Sequence, residues 1–151
     1  MAGDTLRLAE LRRLVAGAVR APDDDAPQGA SEVELAVLSL RLGHGLPPVL
    51  SSWLTVCRGA AIGPGGVFGQ RPDRPFLDMV RTLDLYPEWR TLSWLPVAGD
   101  GCGNYYVLAE DGTVGFVDPM SDPGAFERQV SADLLSFMTD LLGADQGPFP
   151  D

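Results

Sequence analysis

The chain has 151 residues, 45% of them apolar and 21% charged, which is the size and make-up of one ordinary globular domain. That excludes a disordered chain and a disulfide-stapled miniprotein; the uncharged run between Arg41 and Arg58, broken by Pro47-Pro48, is too short for a membrane-spanning helix. The net charge of −10 is lopsided: residues 1–90 carry ten arginines against eleven acids, residues 91–151 one arginine (Arg128) against ten. So acidic a C-terminal part repels phosphate backbones and attracts a basic partner from a distance, which argues against nucleic acid as a ligand. Asp4, Arg7 and Glu10 interrupt the start of the chain, so it does not read as a secretion signal, and the expected location is the cytoplasm.

In chain order, Leu8, Leu11, Val15 and Val19 at helical spacing predict a first helix from about Asp4 to Val19. The stretch 21–30, with Asp23-Asp24-Asp25 among prolines and glycine, reads as a solvated linker, so that residues 1–30 are an N-terminal helix and acidic linker and the first helix can be an appendage to the domain. Ser31 and Glu34 form a capping box for a second helix, whose Val33, Leu35, Val37, Leu38, Leu40 and Leu42 leave so little polar face that it should be largely buried. Pro47 and Pro48 open a third helix carrying Leu50, Trp53, Leu54 and Cys57 and stopping at Gly59. The glycine-rich run 59–69 lacks a phosphate-cradle motif, and Pro64 removes an amide; it reads as a connection into a short strand at Val67-Phe68. Pro75 to Leu85 is expected as one helix with Phe76, Met79, Val80 and Leu83 on its apolar side.

From there the pattern becomes extended. Strands are expected over Leu92–Ala98, Asn104–Glu110 and Thr113–Asp118, with a turn at Gly99–Gly103 and a two-residue type I′ hairpin at Asp111-Gly112. Pro119 to Gly124 reads as a loop. Ser131 should cap a last helix with Leu134, Phe137, Met138 and Leu141 on its apolar stripe, closed by Gly143 and followed by a tail over 144–151. This order describes an α+β domain over 31–143, an antiparallel β-sheet partly covered by N-terminal and C-terminal helices.

Few residues offer chemistry. Cys57 and Cys102 read as free thiols, and with His44 as the only histidine there are too few soft ligands for a zinc site. His44 lies between Gly43 and Gly45 at a helix end, where it reads as part of a C-cap and not as a catalytic base. Asp100 and Asn104 flank glycines in a tight turn, where their side chains can bond nearby amides, and no second carboxylate is fixed at a catalytic distance from Asp100. No catalytic residue, metal or cofactor is expected.

Three strings resemble the SUKH superfamily, the domain typified by the fungal cell-wall-assembly regulator of the Smi/Knr type. They are Leu42-Gly-x-x-Leu46-Pro47 entering a helix with Trp53; Gly65-Gly-Val-Phe-Gly69; and the long Trp94-Leu-Pro-Val-Ala-Gly-Asp100-Gly-Cys-Gly103-Asn104-Tyr-Tyr-Val-Leu108. The resemblance covers about Ser31 to Leu142. The chain departs from it at Cys57-Arg58-Gly59, where the family commonly has an Asn before the glycine, and in its first helix, which the family does not require. Bacterial members are mostly immunity proteins, so the resemblance implies a non-catalytic protein-binding domain that occludes a cognate basic toxin. Alternatives are an intracellular regulatory scaffold, like the fungal relatives, or a small hydrolase using Cys57 or a carboxylate. Chemistry and motif position put the partner-binding residues at Trp94, Asp100, Asn104, Tyr105, Tyr106, Asp118 and Asp122: aromatic anchors within an acidic rim.

Overall fold

A computed structural model describes residues 2–18 and 28–146. Helix α1 (Ala2–Gly17) starts slightly earlier than its pattern indicates; Val19 and the Asp23-Asp24-Asp25 run lie outside the described residues. Leu11, Leu14 and Val15 enter the core, and the helix packs along the last helix, α6 (Leu134–Gln146). Arg7 ties the pair together by donating to the Asp133 carboxylate and, at 2.8 Å, to Ser136 Oγ.

Helix α2 (Glu32–Leu42) begins on the expected capping box: Ser31 Oγ accepts from the Glu34 amide at 3.1 Å, and Glu34 Oε1 accepts from the Ser31 amide at 3.0 Å. It ends at Gly43, whose φ of 85° is the left-handed conformation a C-cap requires. The expectation that this helix is largely buried is wrong. Leu38 and Leu42 are enclosed, but Val33, Val37 and Leu40 face outward, because the domain packs against one side of the helix only. Helix α3 (Pro48–Val56) follows with proline at its first position and Leu50, Trp53 and Leu54 in the core.

The run 59–69 crosses to the sheet. Ala60 pairs with Val67, and Val67 with Ala98, so the expected short strand is a pair of bridges at the sheet edge. The single helix expected over Pro75–Leu85 is two pieces, a 3-10 turn (Pro75–Leu77) and α4 (Met79–Leu85). Asp78 breaks it by acting as N-cap, its carboxylate accepting from the Arg81 amide at 3.2 Å. The break turns Leu77 into the core and Phe76 out to solvent. Asp78 also accepts both guanidinium nitrogens of Arg41, at 2.9 and 2.5 Å, fastening α2 to α4. A further helix, α5 (Glu88–Thr91), carries the buried Trp89 and has no periodicity long enough to be read from sequence.

Strands β1 (Leu95–Gly99), β2 (Tyr105–Leu108), β3 (Val114–Val117) and β4 (Arg128–Ser131) form one antiparallel sheet in the order β1-β2-β3-β4. The β2–β3 hairpin corrects the type I′ expectation. Only Gly112 has positive φ (93°), the Gly112 amide donates to the Ala109 carbonyl at 3.0 Å, and Asp111 spends its carboxylate on Thr113. Strand β4, exposed along most of its length, has no apolar alternation to predict it, and Ser131 lies in it. The helix cap is Asp133 instead, whose Oδ1 accepts from the Ser136 amide at 2.9 Å. Nor does Gly143 close α6, which continues to Gln146.

Tyr105 pairs with Val117 and Val107 with Gly115, so these four share one face of the sheet; Tyr106, Leu108, Val114 and Phe116 share the other. Helix α6 covers the second face, with Phe137 against Tyr106. Tyr86, Trp89 and Phe126 cover the first. The architecture is α+β, as the pattern predicts, and among the described residues no helix is long and apolar enough to cross a membrane.

Candidate protein-binding surface

Two of the recognisable strings prove to be one structural unit. A Cβ placed on Gly65 would sit 2.4 Å from the Gly101 nitrogen and 2.5 Å from the Gly99 carbonyl carbon; one on Gly101 would sit 2.6 Å from the Pro64 oxygen. The loops at 63–66 and 99–103 therefore lie backbone against backbone, an approach that side chains would prevent. Asp100 fixes the second loop. Its Oδ1 accepts from the amides of Cys102 (2.7 Å) and Asn104 (3.0 Å), and its Oδ2 from the Asn104 side-chain amide (2.8 Å). Burial by itself would raise the pKa of this carboxyl, but the Asn104 side chain and the backbone donors outweigh it and hold the group below the usual aspartate range.

The turn delivers Tyr105 to the first sheet face, where its ring meets Trp89 (centroids 5.5 Å apart), Tyr86 (5.4 Å) and Phe68 (6.1 Å). Burial, reinforced by the bond with the Tyr86 hydroxyl, pushes the Tyr105 phenol up to about 12. Tyr106 points the other way, between Phe116 and Phe137. Trp94 stacks on Phe126 at 4.6 Å, and Phe126 lies across Gly115 of β3.

Beside this stack the chain leaves β3 into an acidic loop. Asp118 accepts from the Met120 amide (3.0 Å) and the Ser121 hydroxyl (3.1 Å), and Asp122 from the Gly124 amide (2.9 Å). With Phe126 and Glu127 they line a groove of about 260 Å³. The Trp89 indole N–H donates to the Pro123 carbonyl at 2.6 Å, joining the loop to the aromatic cluster around Tyr105.

The structure thus brings Asp118 and Asp122 to one groove, with Trp94 stacked on its Phe126 wall, and Asn104 and Tyr105 to a second, and it uses Asp100 as the internal brace of its own loop. Tyr106 is on the opposite sheet face, half-buried beneath α6. Phe126, Glu127, Leu85 and Arg81 belong to these grooves and carry no site signal of their own in the sequence, and Phe76, expected on the apolar side of a helix, lines the second groove. Gly115 inside a strand was the available signal for Phe126, since a strand glycine marks a close approach.

A third cavity, of about 530 Å³, collects His44, Ser93 and Glu110 around Leu46, Leu95 and Leu108. Ser93 alone among the described non-glycine residues has positive φ (59°). The His44 ring is turned to its own loop, Nδ1 lying 2.9 Å from the Gly45 carbonyl, and C-capping falls to Gly43. Cys57 is fully enclosed and Cys102 exposed in its turn, and neither forms a disulfide among the described residues. Among the described residues no group of three His, Cys, Asp or Glu side chains converges to hold a metal ion.

Residues 29–140, about three-quarters of the chain, match the SMI1 / KNR4 family (SUKH-1), and the chain belongs to that family. No curated protein matches it.

Proposed function

We propose that this member of the SMI1 / KNR4 family is a non-catalytic binding module of the immunity type, which occludes a basic toxin by docking its acidic loop on it. The observation that carries this reading is the groove at 118–127. Asp118 and Asp122 have no arginine within ion-pair distance among the described residues, and the nearest cation to Glu127, Arg128, reaches it only at 4.0 Å. The carboxylates are held in place by amides of their own loop, so little ordering is left to a partner. Their negative field speeds encounter with a basic surface, and the stacked Trp94 and Phe126 rings offer an apolar centre for the contact.

The absence of chemistry in this reading rests on the same geometry. Cys57 has no access to a substrate, and the Asp100 carboxylate is occupied by three donors of its own turn.

The test is co-expression with the product of the neighbouring gene. A one-to-one complex that rescues growth supports immunity, and the double variant Asp118→Lys, Asp122→Lys should slow association about tenfold at low ionic strength, with a smaller effect at high salt. Unchanged association rates would remove the acidic loop from the interface.

A further inference from the structure

The second groove has a chemistry that the acidic loop lacks. It measures about 320 Å³, and its walls are Pro75, Phe76, Leu85 and Tyr105. Phe76 is 59% exposed and Leu85 61%, although both belong to segments whose other apolar residues are enclosed. The break at Asp78 produces this: it rotates Phe76 out of the helix face it would otherwise share with Met79 and Leu83. The floor is Gly65, Gly101 and Gly103, where the interlocked loops present backbone without side chains, so an occupant can approach closely.

Two polar groups stand at this apolar floor. Arg81 is exposed on α4, and no carboxylate pairs with its guanidinium among the described residues, although Asp78 and Asp84 lie one turn away on either side. In a chain with a net charge of −10, an arginine left free beside two exposed apolar side chains selects for negative charge locally, against the trend of the rest of the surface. The second group is Asn104. An ionised Asp100 can only accept, so the Asn104 NH2 must face it, as the 2.8 Å bond requires. That leaves Asn104 Oδ1 without a partner among the described residues and able to accept an N–H.

We infer that this groove takes an extended segment of a partner protein in which an apolar side chain is followed by a carboxylate: the side chain between Phe76 and Leu85, the carboxylate on Arg81, and a backbone N–H on Asn104 Oδ1. This surface is separate from the acidic loop and requires the opposite charge in its ligand, so it stands whether or not that loop binds a basic toxin.

The full-length chain is titrated with three capped pentapeptides that differ in one position next to a central phenylalanine: glutamate, glutamine or lysine. Binding is read by amide chemical-shift changes. The glutamate peptide should bind roughly five- to tenfold more tightly than the glutamine one, the lysine peptide weakest, with shifts centred on Gly101, Gly103 and the Asn104 side-chain amide. Arg81→Gln should abolish the preference for glutamate, and Leu85→Ala should weaken all three peptides together. Both side chains are exposed, so an unchanged thermal midpoint shows that the variants fold. Asp118→Lys with Asp122→Lys should leave the titration unchanged, which separates this site from the acidic loop. Equal affinity for the glutamate and glutamine peptides, a preference that survives Arg81→Gln, shifts centred on 118–124, or no binding at millimolar peptide would each overturn the inference.

Discussion

Asp100 and the pair Asp118/Asp122 make the same local bond, a carboxylate oxygen accepting a backbone amide two residues ahead, yet they occupy opposite kinds of site. Asp100 accepts two further donors from Asn104, and its loop lies backbone to backbone against the 63–66 loop. In the acidic loop Asp122 is exposed, and among the described residues Ser121 alone bonds Asp118 through its side chain. In sequence both are an aspartate among turn-formers. What separates a brace from a docking group is whether another segment is wedged against the turn, and that is decided by residues some 35 positions away.

The strongest way to break the comparison is to remove the wedge. Gly65→Ala puts a methyl group against the backbone of Gly99 and Gly101, and backbone cannot swing aside as a flexible side chain can. The expected cost is roughly 2–4 kcal/mol of unfolding free energy, measurable by denaturant titration. Gly103→Ala is the control. Its Cβ meets nothing within 4 Å, but its φ of 92° strains a side chain, so about 1 kcal/mol is expected. Equal losses for the two would mean that the loops are not interlocked.

How much of this was legible follows the range of the interactions. The capping box at Ser31, the proline start of α3, the glycine stop of α2 and the strands β2 and β3 are written in contiguous residues and match the structure; the first strand starts only at Leu95, because Leu92 ends α5 and Ser93 turns the chain with a φ of 59°. The break at Asp78 was missed because a carboxylate capping its own third neighbour is a local motif hidden inside a convincing apolar period. The exposure of Val33, Val37 and Leu40 was missed for another reason: apolar periodicity states which residues can be buried, while the presence of a covering layer depends on the whole chain. Strand β4 has an exposed, polar surface, and its Arg128 lies over the Phe116 ring at 4.3 Å, so it carries no alternating apolar signature. At the candidate surface the sequence indicated the aromatic and acidic residue types but not their sides: Tyr105 and Tyr106 are neighbours on opposite faces, and register alone decides which is near the grooves.

A middle-sized effect is expected at Asp100 itself. Asp100→Ala removes three accepted hydrogen bonds in a half-buried turn and should cost about 1–2 kcal/mol. Because the folded state holds this carboxyl below its usual range, its contribution is complete above the ordinary aspartate value of about 4 and fades as the pH falls through the lower folded value. The stability difference between the native chain and Asp100→Ala should therefore be constant from neutral pH down to about 5 and shrink in more acidic solution. Asp100→Asn keeps an acceptor without the charge, so it should recover part of the loss at neutral pH and reduce the acid dependence. A difference that grows on acidification would mean that the carboxylate is not stabilising the turn.

The smallest stability effect belongs to the acidic loop, and it sharpens the comparison by separating stability from binding. Asp118→Ala and Asp122→Ala each remove bonds made within an exposed loop, where water replaces the lost donor or acceptor, so unfolding free energy should change by no more than about 0.5 kcal/mol. The same variants should slow association with a basic partner, and the slowing should diminish as salt is raised, because long-range attraction is screened over about 8–10 Å at physiological ionic strength. The diagnostic quantity is the pairing of the two measurements: at Asp100 a loss of stability with association changed only as far as the turn is distorted, at Asp118 and Asp122 slowed association in a chain of native stability. A destabilisation at Asp118 as large as that at Asp100 would show the acidic loop to be a structural brace as well, and the interface would then have to be sought at another part of the surface.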